Sequence, residues 1–242
     1  MDLSTCGVVV YHGFTSTPAS VLPLADALRT AGCTVAVPSL PGHGTAWQDL
    51  ERRSAAEILR AGLAAYDALA TTCTHVMTAG LSMGGAIALH VAARRRTAGV
   101  IPINPALRLK PFTGVGAALL GRAVRTIPPI AGDIALDGVV EEAYERTPLR
   151  GVVQLSAMGR QVRRELPGVR ERGTPVLLMR SAQDNILPQA SADTLVSALD
   201  PSQLTVLTLQ NSLHVATLDH DADLIGRESV AFLARQLAAD LW

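Results

Sequence analysis

Ser82 lies in Ala79-Gly80-Leu81-Ser82-Met83-Gly84-Gly85, between a short β-like run (75–78) and a small-residue helical run (86–93). Gly-x-Ser-x-Gly between a strand and a helix is the pattern of a nucleophile elbow. The turn is so tight that the residues two before and two after the serine must be small, and Gly80 and Gly84 meet that demand. A serine hydroxyl is a poor nucleophile at neutral pH; it needs an adjacent base, itself oriented by a third group. The partners are expected downstream, the acid first and then the histidine. Asp184 follows the apolar run 175–179, and His214 follows the run 204–208. Alone, Asp184 could open the turn before Pro188, and His214 could be an ordinary loop histidine. Both nevertheless fall just past the C-terminal end of a strand, on the edge where Ser82 is expected.

The other histidines fit less well. His75 opens a strand at the wrong end, His90 sits two turns into a helix, and His43 lies in a Pro-Gly-His-Gly turn. His220 neighbours Asp219 and Asp221 at a helix start, where carboxylates cap. The set His214, Asp219, His220, Asp221 and Asp223 lacks regular ligand spacing, so no metal is expected. Negative charge developing on an attacked carbonyl needs two backbone donors. Met83, just after the serine, and Phe14, in the His12-Gly13-Phe14 loop after the first strand, are the candidates. His12 is read as a brace for that loop.

These residues need a scaffold that brings strand ends together. Strands are expected at 6–11, 33–37, 75–78, 99–103, 175–179 and 204–208. Helices are expected at 18–30, 54–72, 86–93, 149–166, 188–199 and 221–241. Glu57 stands three residues after Ser54, a capping-box spacing. Strands alternating with helices imply βαβ crossovers, a mostly parallel sheet and helices on both faces: one α/β domain. Residues 104–174 are far more than one crossover requires. The excess, about 107–148, is read as an insertion at the C-terminal edge of the sheet, where such folds bind ligands. Its apolar residues (Ala117, Ala118, Leu119, Leu120, Ile127, Ile130, Ile134, Leu136) favour a packed cap over a surface loop.

Composition narrows the function classes. The chain has 242 residues, 48% hydrophobic and 17% charged, with 21 basic and 21 acidic residues. That balance does not point to nucleic acid or an anionic surface. Lys110 is the only lysine and lies outside any Gly-rich phosphate loop, which disfavours P-loop or Schiff-base chemistry. Arg94-Arg95-Arg96 is read as a solvated helix C-terminus. Three widely spaced cysteines suggest neither a disulfide framework nor a zinc cluster. No signal-peptide pattern and no membrane-length apolar run is present, so the expectation is a cytoplasmic protein without stable membrane insertion.

The chain resembles the α/β-hydrolase superfamily, and within it the small bacterial carboxylesterase/monoacylglycerol lipase group. The matching segments are Val10-Tyr11-His12-Gly13-Phe14-Thr15, Pro41-Gly42-His43-Gly44-Thr45, Gly80-Leu81-Ser82-Met83-Gly84-Gly85, Ile101-Pro102-Ile103-Asn104, Ala143-Tyr144-Glu145-Arg146-Thr147-Pro148 and 211–219 (Asn211-Ser212-Leu213-His214-Val215-Ala216-Thr217-Leu218-Asp219). The resemblance implies Ser82, Asp184 and His214 as a catalytic triad and the Phe14 and Met83 N–H groups as an oxyanion hole. It also implies a small cap over an acyl pocket, with Glu141 meeting glycerol hydroxyls and Ile130 near the same pocket. Antiparallel edge strands of larger relatives are expected to be absent.

The expected activity is hydrolysis of short- to medium-chain monoesters or monoacylglycerols, in a pocket kept aliphatic by the scarcity of aromatic residues. The partner would be a small acyl ester, with no cofactor. A thioesterase or acyltransferase using the same three residues remains an alternative, as does a ligand-binding module without turnover. Oligomeric state is not legible in the sequence.

Overall fold

Val8, Val9 and Val10 are fully buried in β1 (Cys6–Tyr11), as a strand covered on both faces requires. The computed structural model describes residues 3–239, apart from 4, 112 and 122. After β1 come a 3₁₀ turn (Pro18–Val21), α1 (Leu22–Thr30), β2 (Thr34–Ala36), α2 (Trp47–Glu51) and α3 (Ala55–Leu69). β3 (His75–Leu81), α4 (Met83–Arg94), β4 (Gly99–Ile103), α5 (Thr113–Leu120) and the two-residue strands β5 (Thr126–Ile127) and β6 (Thr147–Pro148) follow. The chain ends with α6 (Leu149–Glu171), β7 (Val176–Ser181), α7 (Ala190–Ala198), β8 (Leu204–Leu209) and α8 (Ala222–Ala239).

Six strands form one sheet in the order β2-β1-β3-β4-β7-β8, and every neighbouring pair is parallel. The chain steps outward from β1 to β2, then back across β1 to β3. The connections leaving β1 and β3 therefore diverge, and a crevice opens above the sheet between them. That reversal places the loop at Gly13 and Phe14 beside Ser82. One apolar layer, with α3, α4, α6 and α7, covers one face; α1 and α8 cover the other. Among the described residues, no helix is long and apolar enough to cross a membrane.

Most expected elements are present, with instructive shifts. The helix expected at 18–30 begins as a separate 3₁₀ turn, capped by the Thr17 hydroxyl accepting the Ala19 N–H at 3.3 Å. The Ser54/Glu57 capping box forms, the Glu57 carboxylate accepting the Ser54 N–H at 2.8 Å. The helix expected to stop at Leu166 continues through Pro167 to Glu171. Val169 is fully buried there, and Gly168 lets α6 pass close to the end of α4: a Cβ at Gly168 would lie 3.1 Å from the Ala93 carbonyl oxygen. The helix expected at 221–241 is seen to Ala239; residues 240 and 241 lie outside the described residues.

The arginine run is not merely a solvated helix end. Arg94 pairs with Glu165 of α6 at 2.6 Å, and Arg95 grips Asp67 of α3 through two nitrogens at 2.7 and 2.8 Å. Cys6, Cys33 and Cys73 are buried and free.

Residues 107–148 contain α5, β5 and much irregular chain, and they pack only in part. Ala117 is buried, and Ile127, Ile130 and Ile134 pack against apolar clusters. Leu119, Leu120 and Leu136 instead are exposed, at 61%, 48% and 36%. The segment is stitched to the loops after β1 and β2: Tyr144 N–H donates to the Thr15 carbonyl at 3.1 Å, and its hydroxyl donates to Gly42 O at 2.6 Å.

Candidate active site

β3 ends at Leu81 and α4 begins at Met83, so Ser82 alone carries the reversal, at φ 56° and ψ −112°. A non-glycine residue with positive φ is strained, and the surroundings must hold it there. The flanking glycines make this possible. A Cβ on Gly80 would sit 2.4 Å from the Gly84 carbonyl carbon. The following helix is buried along nearly its whole length, from Met83 to Ala92, which fixes the elbow against the sheet.

Asp184 and His214 occupy the loops after β7 and β8. The His214 Nδ1–H donates to Asp184 Oδ2 at 2.7 Å, while Asp184 Oδ1 accepts the Ile186 and Leu187 N–H groups at 2.9 and 2.8 Å. Burial works against the Asp184 charge, but His214 and the two backbone donors outweigh it, so its pKa lies below the usual carboxylate range. A carboxylate so held is charged at neutral pH. Its Oδ2 is committed to the Nδ1 edge of the imidazole, which leaves Nε2 as the nitrogen without that partner.

Ser82 and His214 line one cavity of about 250 Å³. Its walls are mainly apolar, with Phe14, Leu109, Val152, Leu155 and Leu187 contributing, while Lys110, Asp133, Glu141 and Asn185 supply polar atoms. Gly13 and Phe14 from the loop after β1 reach it, as do Ile130 and Glu141 from the insertion. Met83 is fully buried just below, at the first position of α4, where a helix leaves its N–H groups without partners of its own. Glu141 also accepts the Gly132 N–H at 2.8 Å.

His12 and His43 hold the loops around this site. His12 donates Nδ1–H to the Gly13 carbonyl at 2.9 Å and accepts the Leu40 N–H on Nε2 at 3.2 Å. Burial pushes its pKa down to about 4. His43 meets it edge-on at 5.1 Å and is pushed to about 3, by burial first and by the neighbouring His12 next. Both rings are neutral at neutral pH, which suits bracing. His90 is engaged elsewhere, donating Nδ1–H to Glu165 at 2.6 Å.

Several further residues around the site have structural roles that the sequence does not assign to them. Asn104, with φ 42°, donates its amide N–H groups to the His214 carbonyl at 2.8 Å and Ser181 Oγ at 2.9 Å. Its carbonyl oxygen accepts the Ser181 N–H at 2.8 Å. Position just past β4 on the same sheet edge was the available clue. Asp133 accepts the His214 N–H at 3.0 Å and the Asn185 N–H at 3.1 Å, and lies in irregular chain where spacing is silent. Asp219 accepts the N–H groups of Ala135, Leu136, Leu213 and His220.

The chain matches the model of the serine aminopeptidase S33 family (Hydrolase_4) over residues 5–221. It belongs to that family of α/β-hydrolases. It is 35% identical to the thermostable monoacylglycerol lipase of Bacillus sp. (strain H-257), over 95% of this chain and 90% of the relative. The carboxylesterase of Bacillus subtilis (strain 168) is 23% identical, over 94% of this chain and 92% of its own. Among solved structures, one from the metagenome-derived lipolytic enzymes LipS and LipT superposes with a TM-score of 0.91 at 35% identity, covering 97% of this chain and 95% of that one. The fold of this S33 hydrolase is therefore that of α/β-hydrolases with lipase and esterase members.

Proposed function

We propose that this hydrolase cleaves carboxylic esters of the monoacylglycerol and simple monoester class through an acyl-enzyme on Ser82. The observation carrying the reading is the 2.7 Å Asp184–His214 hydrogen bond beside a mainly apolar cavity that Ser82 and His214 both line. With Nδ1 committed to Asp184, His214 Nε2 takes the Ser82 proton as Oγ attacks the acyl carbon. The tetrahedral oxyanion is met by the Met83 and Phe14 N–H groups. His214 then returns the proton to the leaving alkoxide, the C–O bond breaks, and the acyl group stays on Ser82. Water, deprotonated by the same nitrogen, releases the acid and restores the serine.

The insertion acts as the cap. Ile130 touches the acyl group and Glu141 meets the hydroxyls of the alcohol portion. A cavity of about 250 Å³ walled by Leu109, Val152 and Leu155 suits short to medium acyl chains. Ser82→Ala tests the mechanism: kcat on aryl esters and monoacylglycerols should fall by on the order of 10⁶, with the protein still folded. Turnover by that variant at the wild-type rate overturns the reading. Release of amines from aminoacyl amides in preference to esters would instead place the substrate among peptides.

A further inference from the structure

The insertion and the His214 loop exchange carboxylates. From residues 131–136, the Asp133 carboxylate reaches across to accept the His214 N–H at 3.0 Å. From the other side, Asp219 accepts the Ala135 N–H at 2.8 Å and the Leu136 N–H at 2.9 Å. Asp219 Oδ2 also accepts the Leu213 N–H at 2.9 Å, so this one group grips both segments. The Asp133 backbone adds a further link, its carbonyl accepting the Val215 N–H at 3.0 Å. Asp133 binds the acid loop as well: Asn185 gives it both the backbone N–H, at 3.1 Å, and the side-chain amide, at 2.8 Å.

Burial would protonate Asp219, but four backbone N–H donors outweigh it and hold its pKa below the usual value, so the grip is that of a charged group. Hydrogen bonds to a carboxylate are about twice as strong as neutral ones. Asp133 lines the cavity wall shared with Ser82 and His214, so the link sits at the cavity rather than on a remote surface.

We propose that Asp133 is a positioning residue: with Asp219 answering from the opposite loop, it clamps residues 131–136 to the His214 and Asp184 loops, so that the imidazole is aligned only while the cap segment is seated. The inference rests on the Ser82–Asp184–His214 reading above. Its consequence is that substrate binding under the cap and the readiness of the base are one event. Lifting the segment releases the His214 N–H, and the ring keeps only the Asn104 amide on the His214 carbonyl as a direct side-chain anchor of its backbone.

The test compares wild type with Asp133→Ala and Asp133→Asn on a short water-soluble aryl ester. Rates are divided by the Ser82 sites titrated with a phosphonate probe, so that unfolded protein does not count. A misplacement of about 1 Å at a reacting group costs on the order of 10²-fold. Asp133→Ala is therefore expected to lose on the order of 10- to 100-fold in kcat, with KM within about threefold of wild type. Asp133→Asn keeps the size and one acceptor oxygen and should recover part of the loss. Amide hydrogen exchange at His214 should rise in both variants.

A kcat per titrated site within about twofold of wild type in Asp133→Ala overturns the clamp. Should that variant fail to fold, a wild-type kcat and unchanged His214 exchange in Asp133→Asn overturn it equally. Ser82→Ala separates the two readings. If it still turns over, the acyl-enzyme reading fails and the clamp with it; if it is inactive while Asp133→Ala is unimpaired, only the clamp fails.

Discussion

Gly84 packs so tightly on Tyr11 that a Cβ at Gly84 would stand 2.0 Å from the Tyr11 carbonyl oxygen. The obstacle is the backbone at the end of β1, a strand paired on both sides, which cannot rotate away as a flexible side chain would. Gly84→Ala should therefore destabilise the fold by about 3 kcal/mol or more, at or beyond the upper end for overpacking. Thermal or urea denaturation checks this, and a variant with wild-type stability would show that the elbow has slack.

Asp184→Asn preserves shape but replaces the acceptor for His214 Nδ1–H with a group that can turn a donor toward it. The wrong tautomer is then favoured, and kcat should drop by about 10⁴ while KM changes little. Steady-state kinetics with an aryl ester near neutral pH measures it. A loss below about tenfold would mean that the 2.7 Å contact does not orient the base.

Val152 is 2% exposed and lines the cavity beside Leu155. Val152→Phe should fill acyl space and shift preference toward shorter chains. Each buried methylene is worth about 0.8 kcal/mol, so excluding two of them should lower the octanoate-to-butyrate ratio of kcat/KM by on the order of tenfold. A chain-length panel reads the ratio directly. An unchanged ratio would place the acyl chain elsewhere.

Glu165 stands apart from the cavity, tying His90 and Arg94 of α4 to α6. Burial opposes its charge, but hydrogen bonds from His90, Arg94 and Gln161 prevail and hold its pKa at about 2, against 4.5 for the free group. The folded state thus binds this proton less readily than the unfolded chain. The stability that the charge contributes is complete above about 4.5 and is lost as pH falls toward 2. Glu165→Gln should be less stable than wild type at neutral pH, and the gap should close across that window. Denaturation midpoints at a series of pH values provide the check.

The residues at strand ends were readable because the sheet itself orders them. Once Cys6–Tyr11 and Gly99–Ile103 are recognised as continuous apolar runs, the polar residues just beyond each run fall on one edge. The Gly80/Gly84 spacing then marks where the sharpest turn must lie. Other features depend on partners distant in sequence. Proline at 167 reads as a helix terminator, yet burial of Val169 carries α6 onward past it. α2 spans only Trp47–Glu51, and its N-cap Ala46 makes no side-chain hydrogen bond, so no local cue announces it. Asn104 and Asp133 take their roles from loops tens of residues further along the chain, and no local periodicity encodes such pairings.

His214 is held through its backbone by a carboxylate that belongs to the segment 107–148 rather than to the sheet. Grafting a foreign lid onto this platform to change its substrate range would therefore remove a support of the base along with the old selectivity. A successful chimaera must bring its own acceptor for that amide, at the height where Asp133 now stands.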